Sequence, residues 1–147
     1  MKDLAENRRA HFDYEILETY EAGLVLLGTE VKSVKMGQMN LSGTFVVIRD
    51  GGAELLNSHI PAYQPANAPK DYNPDRTRKL LLKKAEISEL IGRSATKGLT
   101  IIPLKVYNRN NRLKLLLGLA RHKKTVDKRE TIKKRDTERE VRRTLKQ

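Results

Sequence analysis

Thr100-Ile101-Ile102-Pro103-Leu104-Lys105-Val106-Tyr107-Asn108-Arg109-Asn110-Asn111-Arg112-Leu113-Lys114-Leu115-Leu116-Leu117-Gly118-Leu119 reads as two strands and a turn. Thr100, Ile102, Leu104 and Val106 alternate onto one face of the first strand, and Leu113, Leu115, Leu117 and Leu119 onto one face of the second. Such a period of two marks a half-buried strand. Asn108-Arg109-Asn110-Asn111 turns between them. Upstream, Phe45–Ile48 and Ala53–Leu56 flank Asp50-Gly51, a hairpin signal. Tyr14–Tyr20 and Gly23–Leu27 read as strands on either side of a Glu21-Ala22-Gly23 turn, and Leu80-Leu81-Leu82 as a short buried strand.

Two short helices complete the body. In the first, Thr29 is the expected N-cap, Glu30 suits the positive helix start and Gly37 stops it. Val31 and Val34 share a face there. In the second, Ile87, Leu90 and Ile91 form an i, i+3, i+4 stripe that Gly92 ends. Residues 57–78 hold Pro61, Pro65, Pro69 and Pro74 and read as a long surface loop. The expected fold is mainly β with small helices: an antiparallel, oligonucleotide-binding-like β-barrel over residues 1–120, followed by a basic tail over 121–147.

The tail differs from the body in kind. Its 27 residues carry 12 Lys/Arg against 5 Asp/Glu, a net of +7 out of +12 for the whole chain. Its apolar side chains are only Val126, Ile132, Val141 and Leu145, too few to offset about 1–2 kcal/mol of backbone ordering per residue. Asp127 with Glu130 makes an acidic capping box. The pairs Glu130–Lys134 and Glu138–Arg142 favour a helix, while Arg135–Arg139, Asp136–Glu140 and Arg139–Arg143 oppose it. Ile132 and Val141 fall on opposite faces, so the tail has no seam with which to dock. It is expected to be disordered when free and helical when bound. Its partner is expected to be a polyanion, RNA above all.

Several function classes are excluded or disfavoured. There is no cysteine, hence no disulfide, no Cys-based zinc site and no Cys nucleophile. His11, His59 and His122 lack ligand spacing, and no Gly-rich phosphate loop occurs. The carboxylates are scattered, unlike the clustered set of a metal-dependent nuclease. No catalytic residue, metal site or cofactor is expected. No apolar run nears the ~20 residues of a membrane span, and Met1–Glu6 does not read as a signal peptide. A cytoplasmic monomer is the expectation.

Five motifs occur in order: Asn7-Arg8-Arg9-Ala10, Tyr20-Glu21-Ala22-Gly23, Gly28-Thr29-Glu30-Val31-Lys32-Ser33, Arg76-Thr77-Arg78-Lys79-Leu80-Leu81-Leu82 and Asp127-Lys128-Arg129. Together they closely resemble the bacterial SsrA-binding, or small protein B, family over nearly the whole chain. The resemblance implies a β-barrel that binds the tRNA-like domain of transfer-messenger RNA in place of an anticodon arm. It implies ribosome rescue by trans-translation, with a degradation tag added to the nascent chain. The tail would enter the empty message channel as a helix beside the decoding site. Asp127, Lys128, Arg129, Ile132, Lys133, Lys134, Arg135, Arg139, Arg142 and Arg143 would carry that role. His122 stands where the family commonly has Gly, and Val126 where it often has a ring able to stack.

Each body residue has a plainer reading beside its RNA-binding one. Asn7, Arg8 and Arg9 are either a solvated terminus or part of the RNA face. By resemblance Glu21 serves RNA binding; otherwise it is a solvated turn acid. Glu30 serves either the RNA or the helix dipole. Lys32 and Lys35 read as phosphate contacts or ion-pair partners. Arg76, Arg78 and Lys79 suit a phosphate track, and Leu81 is either an RNA contact or core. Lys123 and Lys124 follow the last strand as phosphate contacts. Arg109, Arg112 and Lys114 are RNA contacts or a solvated hairpin tip. The rival function is a ribosomal or initiation-factor-type RNA-binding barrel with a charge-neutralising tail; a nuclease is a third.

Overall fold

The computed structural model describes residues 3–64, 66, 68–123 and 135. Its elements run β1 (Asp3–Glu6), α1 (Ala10–Asp13), β2 (Tyr14–Leu24), α2 (Gly28–Lys35), β3 (Phe45–Arg49), β4 (Gly52–Leu56), β5 (Arg78–Leu81), α3 (Lys84–Ser94), β6 (Leu99–Arg109) and β7 (Arg112–His122). The strands form one antiparallel sheet in the order β1-β6-β7-β2-β5-β4-β3. The mainly β architecture matches the expectation. The barrel is not closed: β3 comes round beside β6, but no ladder joins them.

Local chemistry sets both hairpins. Asn110 and Asn111 take φ +52° and +62°, and Asp50 and Gly51 take +52° and +72°. Two consecutive residues at positive φ make the mirrored turn whose twist suits a right-handed hairpin. The β6–β7 turn is therefore tighter than the four residues expected, with Arg109 opposite Arg112.

The β6 face pattern needs correction. A bulge between Pro103 and Lys105 shifts the alternation by one residue. Ile101 before it and Val106 after it join the main core with Leu113, Leu115, Leu117 and Leu119. Ile102 and Leu104 instead face a second cluster with Ala10 of α1 and Ala120, and Thr100 is exposed. Gly118 lies against this second cluster: a Cβ there would lie 3.1 Å from Leu104 Cδ1 and 3.3 Å from Ile16 Cγ2.

Other expectations shift in smaller ways. β2 runs unbroken through Glu21–Gly23, because Ala22 is wholly buried opposite Leu115. Helix α2 takes Leu27 rather than Thr29 as its N-cap. Gly37, at φ +76°, ends it as expected. Helix α3 continues past Gly92 to Ser94, and of its stripe only Leu90 is fully buried. β7 stays in the sheet through His122, whose ring meets Tyr14 edge-on with centroids 5.2 Å apart.

Candidate nucleic-acid interface

A buried ion cluster organises the region between α2, the 57–78 loop and β5. Glu30 projects inward from the first turn of α2 and is 1% exposed. Its Oε1 accepts the Leu27 amide at 2.8 Å and the Arg76 Nη2. Its Oε2 accepts Arg76 Nε at 3.1 Å, Arg78 Nε at 3.0 Å and Arg78 Nη2 at 2.5 Å. The Tyr72 hydroxyl lies 2.7 Å from the Ile60 carbonyl and 3.1 Å from Glu30 Oε2, its single proton serving one of them. That hydroxyl also accepts Arg78 Nη2 at 3.2 Å. Arg78 Nη1 reaches the Ser58 carbonyl at 2.7 Å and the Pro74 carbonyl at 2.9 Å. One carboxylate thus ties both arms of the loop to α2.

Burial alone would push the Glu30 carboxyl up. Hydrogen bonds from Arg76, the Leu27 amide and Arg78 outweigh it, and its pKa falls to about 2. A buried charge is tolerable when it is paired and its lone pairs are filled, and both conditions hold. Glu30 and Arg78, read from sequence as candidate RNA contacts, are both buried and spend their polar atoms inside this cluster. Arg76, with its side chain 31% exposed, spends its guanidinium largely on Glu30.

Around this cluster the surface is cationic with an apolar spot. Lys32 and Lys35 stand on the outer side of α2, and Lys79 is exposed on β5. Leu81 is 55% exposed, so it is not core; it lies over Gly23, where a Cβ would come within 3.4 Å of the Leu81 Cβ. Leu81, Val25, Lys79, Lys84, Arg49 and Arg76 line an open groove of about 620 Å³.

A second group surrounds α1. Asn7 does not present its amide outward: Nδ2 donates to the Pro103 carbonyl at 2.9 Å, and its backbone N–H donates to Leu104 at 2.8 Å. Arg8 and Arg9 are exposed. Arg9 lies 3.6 Å from Asp13 and 5.5 Å from the Phe12 ring centroid. Arg135, the one residue described beyond Lys123, is helical and lies 5.4 Å from the same ring. Lys123 donates from Nζ to the His11 carbonyl at 2.7 Å and from its backbone N–H to Asp13 at 2.9 Å. Arg8, Arg9, Asn40 and Gly43 line a cleft of about 480 Å³ beside α1. Backbone bonds Asn40–His59 connect this cleft's rim to the 57–78 loop.

Glu21 forms a third group, near the turn end of the β6–β7 hairpin. It accepts the Tyr107 hydroxyl at 2.5 Å and Arg109 at 3.1 Å. The Tyr107 hydrogen bond, joined by Arg109, lowers the Glu21 carboxyl from its ordinary value. Burial and the same hydrogen bond raise Tyr107 to about 12.

Sequence reading missed Tyr72 and Ser58 as members of the ion cluster. The spacing from Glu30 to Arg78 carries no signal, because a loop of unknown path lies between them. Lys124, Asp127, Lys128, Arg129, Ile132, Lys133, Lys134, Arg139, Arg142 and Arg143 lie outside the described residues. Among the described residues, no three or more His, Asp or Glu side chains converge as a metal site would need. No described helix is long and apolar enough to cross a membrane.

Comparison with known proteins places this geometry. The chain matches the family described as SmpB protein over residues 4–147. It is 54% identical over 147 residues to an SsrA-binding protein of Thermosynechococcus vestitus, covering 100% of this chain and 97% of the relative. It is 52% identical over 143 residues to the SsrA-binding protein of Ligilactobacillus salivarius, covering 97% and 92%. A solved structure described as "tmRNA-SmpB: a journey to the center of the bacterial ribosome" superposes with a TM-score of 0.67 at 50% identity, covering 82% of this chain and 84% of that one.

Proposed function

The chain belongs to the SmpB protein family, and on that premise we propose that it binds the tRNA-like domain of transfer-messenger RNA. It delivers that RNA to stalled ribosomes for trans-translation, in the bacterial cytoplasm where ribosomes work. It acts as an RNA-binding partner rather than as a catalyst. The observation that carries this reading is the family match over residues 4–147, joined by the likeness to the tmRNA–SmpB structure over 82% of the chain.

The local geometry supplies a physical route. Lys32, Lys35 and Lys79 offer ammonium groups to phosphates, with Arg8 and Arg9 on the neighbouring rim. The Glu30–Arg76–Arg78 cluster fixes the backbone from which several of these side chains project. The role of Glu30 and Arg78 is to hold the binding surface in shape. Phosphate contacts of this kind set affinity and register. The exposed Leu81, flanked by Lys79, offers an apolar contact that charge alone would not supply. The tail, by the same family reading, enters the empty message channel through Asp127–Arg129 and the basic residues beyond.

Competition binding tests this. At physiological salt, the tRNA-like domain of transfer-messenger RNA outcompetes ordinary tRNA and duplex RNA for the full-length protein. Equal competition by all three would support the ribosomal-type barrel with a neutralising tail instead.

A further inference from the structure

Tyr63 is the one tyrosine among the described residues that the fold leaves exposed, at 36%. Tyr20 and Tyr107 are 7% and 5% exposed. Tyr20 donates its hydroxyl to Glu89, and Tyr107 donates to Glu21. Tyr72 is built into the ion cluster, and Tyr14 packs on His122. Tyr63 instead carries Lys32 over its ring, with the ammonium 5.6 Å from the centroid.

Its mounting is firm. Three residues before it, Ile60 is wholly buried. The Ile60 amide donates to the Pro74 carbonyl at 3.0 Å, and the Ile60 carbonyl lies 2.7 Å from the Tyr72 hydroxyl. The loop arms that carry Tyr63 are thus stitched to each other and, through Arg78 and Glu30, to α2. On α2, Lys35 stands one turn from Lys32, on the same face. An aromatic ring backed by a cation, on a loop anchored at Ile60 and beside exposed ammonium groups, is the arrangement that single-stranded nucleic acid recognition uses.

We propose that Tyr63 is a base-stacking platform: an unpaired base of the bound RNA lies on its ring, while Lys32 and Lys35 hold the adjoining phosphates. This rests on the RNA-binding reading above and adds a subsite to it. Stacking needs an aromatic face and not the hydroxyl, so substitutions separate it from a plain surface contact.

The test uses the full-length protein and the tRNA-like domain of transfer-messenger RNA. Tyr63→Phe is expected to bind within about twofold of the unsubstituted protein. Tyr63→Ala and Tyr63→Leu are expected to lose about 5- to 150-fold, with the salt dependence unchanged. Lys32→Gln is expected to lower the salt slope by about one. Tyr63→Trp gives a direct signal, because the chain has no other tryptophan; its fluorescence should be quenched when RNA stacks on it. Unchanged tryptophan emission at saturating RNA, or Tyr63→Ala binding as tightly as the unsubstituted protein, would overturn the proposal. Failure of the broader reading is distinct: it would show as loss of preference for the tRNA-like domain in the unsubstituted protein.

Discussion

At the scale of single residues, Glu30 is a buried carboxylate paired with two arginines. Replacing it with Gln would leave the Arg78 guanidinium buried beside a neutral amide. Breaking a buried pair from one side costs about 3–5 kcal/mol, so Glu30→Gln should melt roughly 10–20 °C lower and bind RNA more weakly as the loop loosens. Its folded pKa of about 2 lies below the ordinary value of 4.5. The stabilisation is therefore complete above that ordinary value and lost as pH falls through about 2. Denaturant titrations of both proteins should show their stability gap closing between pH 5 and pH 2. A constant gap would remove the charge from the explanation. Sequence alone offered Glu30 a helix dipole or an RNA contact, and the structure gives it ion pairs with Arg76 and Arg78. Those partners sit 46 and 48 residues away, across a loop whose path no periodicity encodes.

At the scale of elements, the β6 bulge decides which leucines and isoleucines meet. Its cause was legible: Pro103 lacks an N–H, and a proline within a paired strand is confined to edges and bulges. Simple alternation hid that signal. The freed geometry is used at once, since the Pro103 and Leu104 carbonyls receive Asn7. Gly118→Val should destabilise by about 1–3 kcal/mol through overpacking against Leu104 and Ile16, read as a lower denaturation midpoint. Asn111→Ala should cost about 1–2 kcal/mol, because a Cβ-bearing residue without a local hydrogen bond disfavours the left-handed region. Both hairpins were legible because their turn residues carry the requirement themselves. The continuity of β2 was not, since Glu21-Ala22-Gly23 resembles a turn until Ala22 is placed opposite Leu115.

At the scale of the whole molecule, the net charge is held in two reservoirs. Residues 1–120 hold a net of +5 and residues 121–147 a net of +7. Removing residues 127–147 should leave most affinity for free transfer-messenger RNA and abolish tagging on stalled ribosomes. Tagging by the truncated protein would show that the tail does not read the channel. The junction between the two reservoirs is the feature with the widest reach. Lys123 is held to α1 at two points, its ammonium on His11 and its amide on Asp13. That grip fixes the point at which the chain leaves the body. A tail that is helical when bound, as proposed, would span about 30 Å over the 21 residues 127–147, so about 10° of play at the exit point would displace its tip by roughly 5 Å. Under that proposal, two hydrogen bonds on the body would bear on a target far from them.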